Sequence, residues 1–186
     1  MGSHLAILLP GREYGPLGPA LRLPRLAVEQ SGGEILEIQY PFIPAVDDPD
    51  AWNTLCVSVA EQISAVLSRR VPSRITFIAK SLGTVVLASL PSEIPLPAVK
   101  AIWLTPLFGR DSVRRGAVSK NWPSLLVAGE ADQLHEPRHH DAVADALGAA
   151  SLVLPRADHA LEIPGDVIAT LDGFRVLTEE VLDFVC

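Results

Sequence analysis

Cysteine is scarce in this chain, basic residues are outnumbered by acidic ones, and no long apolar run occurs. Each shortage removes a class of protein. Two cysteines, Cys56 and Cys186, are too few for a disulfide framework or a thiolate metal site. Cys56 falls on the apolar face of a helical pattern and reads as a small buried hydrophobe. Fifteen Lys and Arg against 22 Asp and Glu leave a formal charge of −7, the wrong sign for gripping a nucleic-acid backbone. The basic clusters "SRR" at 68–70 and "VRR" at 113–115 are short and read as solvated helix ends. Without a stretch of about 18 apolar residues, no membrane span is expected. "LAILLP" is too short for the apolar region of a signal peptide and lacks a cleavage site, so the expectation is a soluble cytoplasmic protein. The leading "MGSH" has the look of a vector-encoded leader, which leaves His4 without weight. There is no Walker A sequence and no G-x-G-x-x-G after the first strand, so no cofactor is expected.

What is present is a globular balance, 48% apolar and 20% charged, over a length that suits one domain spanning 1–186. Six segments read as strands: 4–9, 34–39, 74–79, 99–104, 124–128 and 151–154. Several are continuous apolar runs rich in branched residues, as strands covered on both faces require. Helical patterns lie between them. In 49–70, Trp52, Leu55, Cys56, Val59, Ile63, Val66 and Leu67 recur at three- and four-residue spacing. Asp47 or Asp48 is placed to cap that helix, and Arg69 and Arg70 suit its C-terminal dipole. Further helices are expected over 136–147 and over 166–185, where Gly173 is an internal weakness, and within 17–30, where Pro24 makes the helix short or broken. The proline-rich "SEIPLPAVK" reads as a connection into the fourth strand. Spread over 186 residues, six strands leave about 31 residues per unit, the size of a βαβ repeat. Strict alternation predicts a three-layer α/β/α fold around a six-stranded, mostly parallel sheet.

Ligands of such sheets bind beyond the carboxyl ends of the strands. Three of the six ends carry a serine, an aspartate and a histidine: Ser81 in "AKSLGT", Asp132 in "VAGEADQLHEP" and His159 in "PRADHALE". Serine is a common helix N-cap, and "SLGT" alone fits that role. A serine between a buried strand and a helix is also where a nucleophile can be lifted on a tight turn, and Ala79 and Gly83 are small enough to permit one. A serine hydroxyl needs a base, for which His159 is the candidate, and Asp132 can orient that imidazole. The order Ser, Asp, His fits successive strand ends of one sheet.

These motifs, together with "LLPGRE" after the first strand, resemble a small member of the α/β-hydrolase superfamily, of the kind related to dienelactone hydrolases and small carboxylesterases. The likeness covers essentially the whole chain. Alanine at 79, in place of the usual first glycine of the elbow, is a departure. The resemblance implies a strand order of 2-1-3-4-5-6, no cap domain and a Ser-His-Asp triad. It prefers Asp132 over Glu130 as the acid, from the Gly129-x-x-Asp132 spacing. It also implies an oxyanion hole made by the N–H groups of Leu82 and Arg12, with Gly11 or Glu13 as one-residue alternatives. Only about twenty residues separate the fourth and fifth strands, enough for a loop and one helix, so an open, shallow site is expected.

Other side chains fall near the same rim. Tyr14 and Phe108, in loops, are expected to line the substrate site, and His135 to reach its edge. Lys80 should point away from the hydroxyl, toward a salt bridge with a neighbouring helix. Asp158 should bond backbone within its own loop. His135, His139 and His140 lack a carboxylate at metal-site spacing and read as a surface helix start, so no metal is expected. The function expected is hydrolysis of a small-molecule ester or thioester, in a monomer or homodimer. The alternatives are an inactive binding protein on the same scaffold, or acyl transfer or C–C cleavage with the same three side chains.

Overall fold

Six apolar segments pair side by side as strands: β1 (His4–Leu9), β2 (Glu34–Glu37), β3 (Arg74–Lys80), β4 (Ala98–Leu104), β5 (Ser124–Gly129) and β6 (Ala150–Leu154). In this computed structural model, which describes residues 3–91 and 98–185, helices alternate with them. They are α1 (Pro19–Gln30), α2 (Pro49–Leu67), α3 (Leu82–Ser89), α4 (Asp111–Lys120), α5 (Pro137–Leu147) and α6 (Val167–Val185). The strand order is β2-β1-β3-β4-β5-β6 with every pairing parallel, the order expected from the motifs. Residues 92–97 of the proline-rich connection, and Cys186, lie outside the described residues.

Alternate side chains of the sheet feed two cores. Leu5, Ile7, Leu9, Phe77, Ala79, Trp103 and Leu126 point to the layer of α2, α3, α4 and α5. Ala6, Leu8, Ile78, Ile102, Leu104, Leu125 and Val127 point to α1 and α6. This period of two is what a strand buried on both faces must show. Ten residues of α4 and its flanking loops fill the space between β4 and β5, and among the described residues no cap domain rises over the sheet.

Several details depart from expectation for local reasons. Pro24 sits inside a continuous twelve-residue α1, its ring on the buried face with Ala20, Leu21, Ala27 and Val28. That burial offsets the hydrogen bond its missing N–H cannot make. β2 ends at Glu37 because the backbone of Gln39 is taken by a side chain: Gln62 Oε1 accepts from the Gln39 N–H at 3.1 Å and Gln62 Nε2 donates to its carbonyl at 2.9 Å. α2 stops at Leu67, leaving both arginines beyond it, and Arg70 pairs instead with Glu34. Asp48 is its cap, accepting from Ala51 N–H at 2.9 Å. Gly173 does not interrupt α6.

His4, given no weight in the sequence, is a working part of the core. It opens β1, is 3% exposed, and shares a 2.9 Å hydrogen bond with Thr76 Oγ1. His140 is likewise 1% exposed and bonded to Ser151 Oγ at 2.8 Å. Burial, then the charges of Arg74 and Lys100, lower the His4 pKa to about 4. Burial, then His135, lower that of His140 to about 4. Both rings are neutral in the fold but take up protons near pH 6.5 when unfolded. Their contribution is therefore complete above pH 6.5 and is lost as pH falls toward 4, on the order of 2–3 kcal/mol each. The melting temperature should drop over that interval, and His140→Gln should flatten the drop, read by thermal denaturation across a pH series.

Candidate functional site

At the end of β3 the chain turns into α3 through Ser81, whose backbone sits at φ 51° and ψ −111°. A non-glycine residue at positive φ is strained, and such strain is held in place only by its surroundings. Here the surroundings are specific. The Ser81 N–H donates to Leu104 O at 3.0 Å, and the Thr84 N–H and hydroxyl both return to Ser81 O, at 2.9 and 2.6 Å. Gly83 lies so close to β1 that a Cβ there would stand 2.1 Å from Leu9 O. Ser81 occupies the N-cap position of α3, yet its hydroxyl makes no capping bond.

That hydroxyl is engaged elsewhere. His159 Nε2 lies 2.8 Å from Ser81 Oγ, and His159 Nδ1 lies 2.7 Å from Asp132 Oδ2. The other Asp132 oxygen accepts from Leu134 N–H at 2.8 Å. The Asp132 side chain is 3% exposed and that of His159 36%, so the carboxylate is enclosed while the ring meets the cavity. Burial alone would raise the Asp132 pKa. The bonds from His159 and Leu134, with the charges of His159 and Lys80, outweigh it and hold the carboxyl below its ordinary value.

Two loops deliver these partners, and a missing side chain lets them meet. At Gly129 a Cβ would fall 2.3 Å from Ala157 O and 2.5 Å from Asp158 O, so only glycine lets the β5–α5 loop lie against the β6–α6 loop. Ala131 N–H donates to Ala157 O at 2.9 Å across that contact. Asp158 Oδ1 accepts from Ala160 and Glu162 N–H at 2.8 and 3.0 Å, shaping the turn that presents His159. Glu130, the alternative acid, instead accepts from Arg156 N–H at 2.9 Å on the outside of the same contact.

Ser81 and His159 open into a cavity of about 550 Å³, walled by Gly11, Arg12 and Tyr14 after β1, by Val46 and Trp52, and by Leu107, Arg110 and Leu134. The N–H groups of Leu82 and Arg12, both on this cavity, have no acceptor among the described residues. Tyr14 lines the cavity as expected, though its oxygen accepts from Ala20 N–H at 2.9 Å. Burial raises its pKa. Arg110 lies over the Trp52 ring at 5.5 Å and joins this cavity to a second of about 430 Å³ reaching Cys56 and Ser89.

Two expected lining residues are elsewhere. Phe108 is 1% exposed and packs in the core against Trp103 and His140, at ring distances of 6.2 and 6.1 Å. His135 sets its ring edge-on to His140 at 5.1 Å, away from the cavity. Their neighbours Leu107 and Leu134 take the wall positions. In each loop the inward side chain is the neighbour of the residue expected, because no periodicity tells which of two adjacent loop side chains faces in. Lys80 points to the α1–α6 side, as strand alternation demands, but among the described residues it pairs with no acidic helix residue. Its ammonium donates to Thr105 Oγ1 at 2.9 Å and to His159 O at 2.6 Å. Among the described residues no group of three or more His, Cys, Asp or Glu is arranged to hold a metal ion, and no helix is long and apolar enough to cross a membrane.

No protein-family model matches the sequence, and no curated protein matches it. Solved structures do match its shape. An esterase of Pyrococcus furiosus superposes with a TM-score of 0.72 at 14% identity, over 98% of this chain and 82% of that one. A serine hydrolase without a lid from Xanthomonas campestris gives 0.69 at 15% identity, over 98% and 80%. Est1E of Butyrivibrio proteoclasticus, bound to ferulic acid, gives 0.67 at 14% identity, over 97% and 87%. The architecture is the α/β-hydrolase fold in its form without a lid.

Gly129→Ala forces a methyl into two carbonyls and should separate His159 from Asp132. A loss of about 1–3 kcal/mol in stability is expected from such overpacking, together with weakened binding of any ligand that needs the His159 loop. Denaturant unfolding and activity assays on the same preparation check both.

Proposed function

We propose that the chain is a serine hydrolase acting on a small carboxylic ester or thioester. One observation carries the reading: the unbroken hydrogen-bonded series from Ser81 Oγ through His159 to Asp132, begun on a strained backbone and open to a cavity. A cap serine needs neither the strain nor the imidazole.

In this mechanism the substrate carbonyl enters over Ser81. His159 Nε2 takes the hydroxyl proton as Oγ attacks, while Asp132 holds the Nδ1 proton and stabilises the imidazolium. Negative charge gathering on the carbonyl oxygen is met by the N–H groups of Leu82 and Arg12, helped by the positive end of α3. His159 then gives its proton to the departing alcohol or thiol, leaving an acyl-Ser81 ester. A water, deprotonated by the same nitrogen, releases the acid and restores the serine. Trp52, Leu107, Leu134 and the ring of Tyr14 form the apolar wall against which the acyl or alcohol portion packs. A cavity of about 550 Å³ suits a short acyl chain or a single aromatic ring with its ester.

The deciding experiment pairs turnover of p-nitrophenyl acetate with labelling by a fluorophosphonate probe. Ser81→Ala should lower kcat by at least about a thousandfold and abolish labelling, with the melting temperature within about 2 °C of the parent. Retained turnover in that variant would remove Ser81 as the nucleophile, and a parent protein that neither labels nor hydrolyses would favour an inactive binding scaffold.

A further inference from the structure

Lys80 immediately precedes the candidate nucleophile and is 0% exposed. An ammonium so enclosed loses its hydration, a cost that has to be compensated, yet among the described residues no carboxylate lies within ion-pair distance of it. Its contacts are of another kind, and each belongs to a different part of the rim. Thr105 Oγ1, at 2.9 Å, stands just past β4 on a residue held at φ 43°. The carbonyl of His159, at 2.6 Å, belongs to the β6–α6 loop. The Tyr14 ring, with its centroid 4.6 Å from Nζ, belongs to the β1–α1 loop. The charged groups that face it are Asp132 on the β5–α5 loop and Asp158 beside His159. An apolar side chain of the same length would fill this space without the desolvation cost. What it could not do is hold the backbone of the histidine.

We propose that Lys80 is a positioning residue: its ammonium clamps the His159 carbonyl to Thr105, keeping the imidazole between Ser81 and Asp132, and loss of its proton loosens that clamp. The inference rests on the hydrolase reading given above. A charge-assisted hydrogen bond is roughly twice as strong as a neutral one, so an uncharged amine at Nζ grips the loop less firmly. Losing the charge also withdraws support from the Asp132 carboxylate, to whose lowered pKa Lys80 contributes. Burial lowers the Lys80 pKa to about 8, against the opposing pull of Asp132 and Asp158. Burial raises that of the Tyr14 hydroxyl, which therefore stays neutral where Lys80 titrates. The clamp is complete below that pH and relaxes above it, giving activity an alkaline decline that does not originate in the three reacting side chains.

The test measures kcat and KM for p-nitrophenyl butyrate from mildly acidic to alkaline pH, corrected for spontaneous hydrolysis. The full-length parent, Lys80→Met, Lys80→Arg and Thr105→Val are compared. The parent should lose activity above a pH of about 8. Lys80→Met should lower kcat roughly 10- to 100-fold at neutral pH, the scale of a small misplacement of a reacting group, with KM held within about twofold and the alkaline decline gone. Lys80→Arg keeps a donor that does not deprotonate in this range. It should retain most of the neutral-pH rate and also lose the decline. Thr105→Val, nearly isosteric, removes one acceptor of the ammonium and should move the decline to lower pH. Parental kcat in Lys80→Met, or the parent's pH profile in both Lys80→Arg and Thr105→Val, overturns the proposal. The last two variants decide it if Lys80→Met does not fold. Fluorophosphonate labelling of the parent and its loss in Ser81→Ala, run alongside, separate this outcome from failure of the hydrolase reading itself.

Discussion

The geometry of the rim is referred to one close approach, that of α3 to β1 at Gly83. With a Cβ excluded by the Leu9 carbonyl, the first turn of α3 rests directly on the neighbouring strand. That contact fixes where the chain must turn after Lys80. The turn is so tight that Ser81 takes up a backbone conformation costing about 1–3 kcal/mol. The hydrogen bonds from Ser81 N–H to Leu104 and from Thr84 back to Ser81 keep it there. Once the corner is set, the hydroxyl and the N–H of Leu82 have defined positions relative to β1, β3 and β4. The two remaining loops have only to reach them. Their meeting is controlled by a second absent side chain, at Gly129. Two glycines with ordinary backbone angles thus act by the volume they leave free and not by flexibility.

Much of this was legible in the residues. Apolar and branched segments located five of the six strands to within a residue at each end; in β1, β3 and β5 the reason is burial on both faces, which leaves little polar alternation to blur the ends. β2 was the exception. It is an edge strand, partly exposed, and its end is decided by the Gln62 side chain reaching across from α2, an event that no local pattern contains. Ser81, Asp132 and His159 could be picked out because strand order turns distant sequence positions into neighbours on one rim. What could not be picked out is the direction of single loop side chains. Phe108 and Leu107, or His135 and Leu134, differ only in which one the loop turns inward. His4 was missed for a different reason: its context suggested a leader, while its burial against Thr76 depends on β3, some seventy residues away.

Lys80 marks the boundary between the two kinds of knowledge. Strand alternation assigned its face correctly. Its partner, a main-chain carbonyl of the β6–α6 loop, arises only from tertiary assembly, and sequence patterns that seek acids for bases pass over it. The charges around the hydroxyl are therefore ordered in depth. His159 lies at the cavity, Asp132 is enclosed behind it, and Lys80 is enclosed beneath the loop that joins them to the rim. Among the described residues of this acidic protein, the lysine at 0% exposure stands where it can hold loop backbone.

α3 has its own consequence. Six of its eight residues, from Leu82 to Leu87, are buried, and it packs on both β3 and α4, where Gly116 lets Ala88 approach closely. Enclosed over these six residues and exposed only at Ser89, the helix has no solvent side from which its first turns could fray. The amide protons hydrogen-bonded within it should exchange with solvent only when the surrounding domain opens, while the N–H of Leu82, without an acceptor among the described residues, stays open to the cavity. The N–H of Leu82 thus belongs to the most persistent part of the fold, while the histidine across the cavity hangs from a surface loop. Any slow breathing at this rim is one-sided, with the ring moving against a fixed anvil.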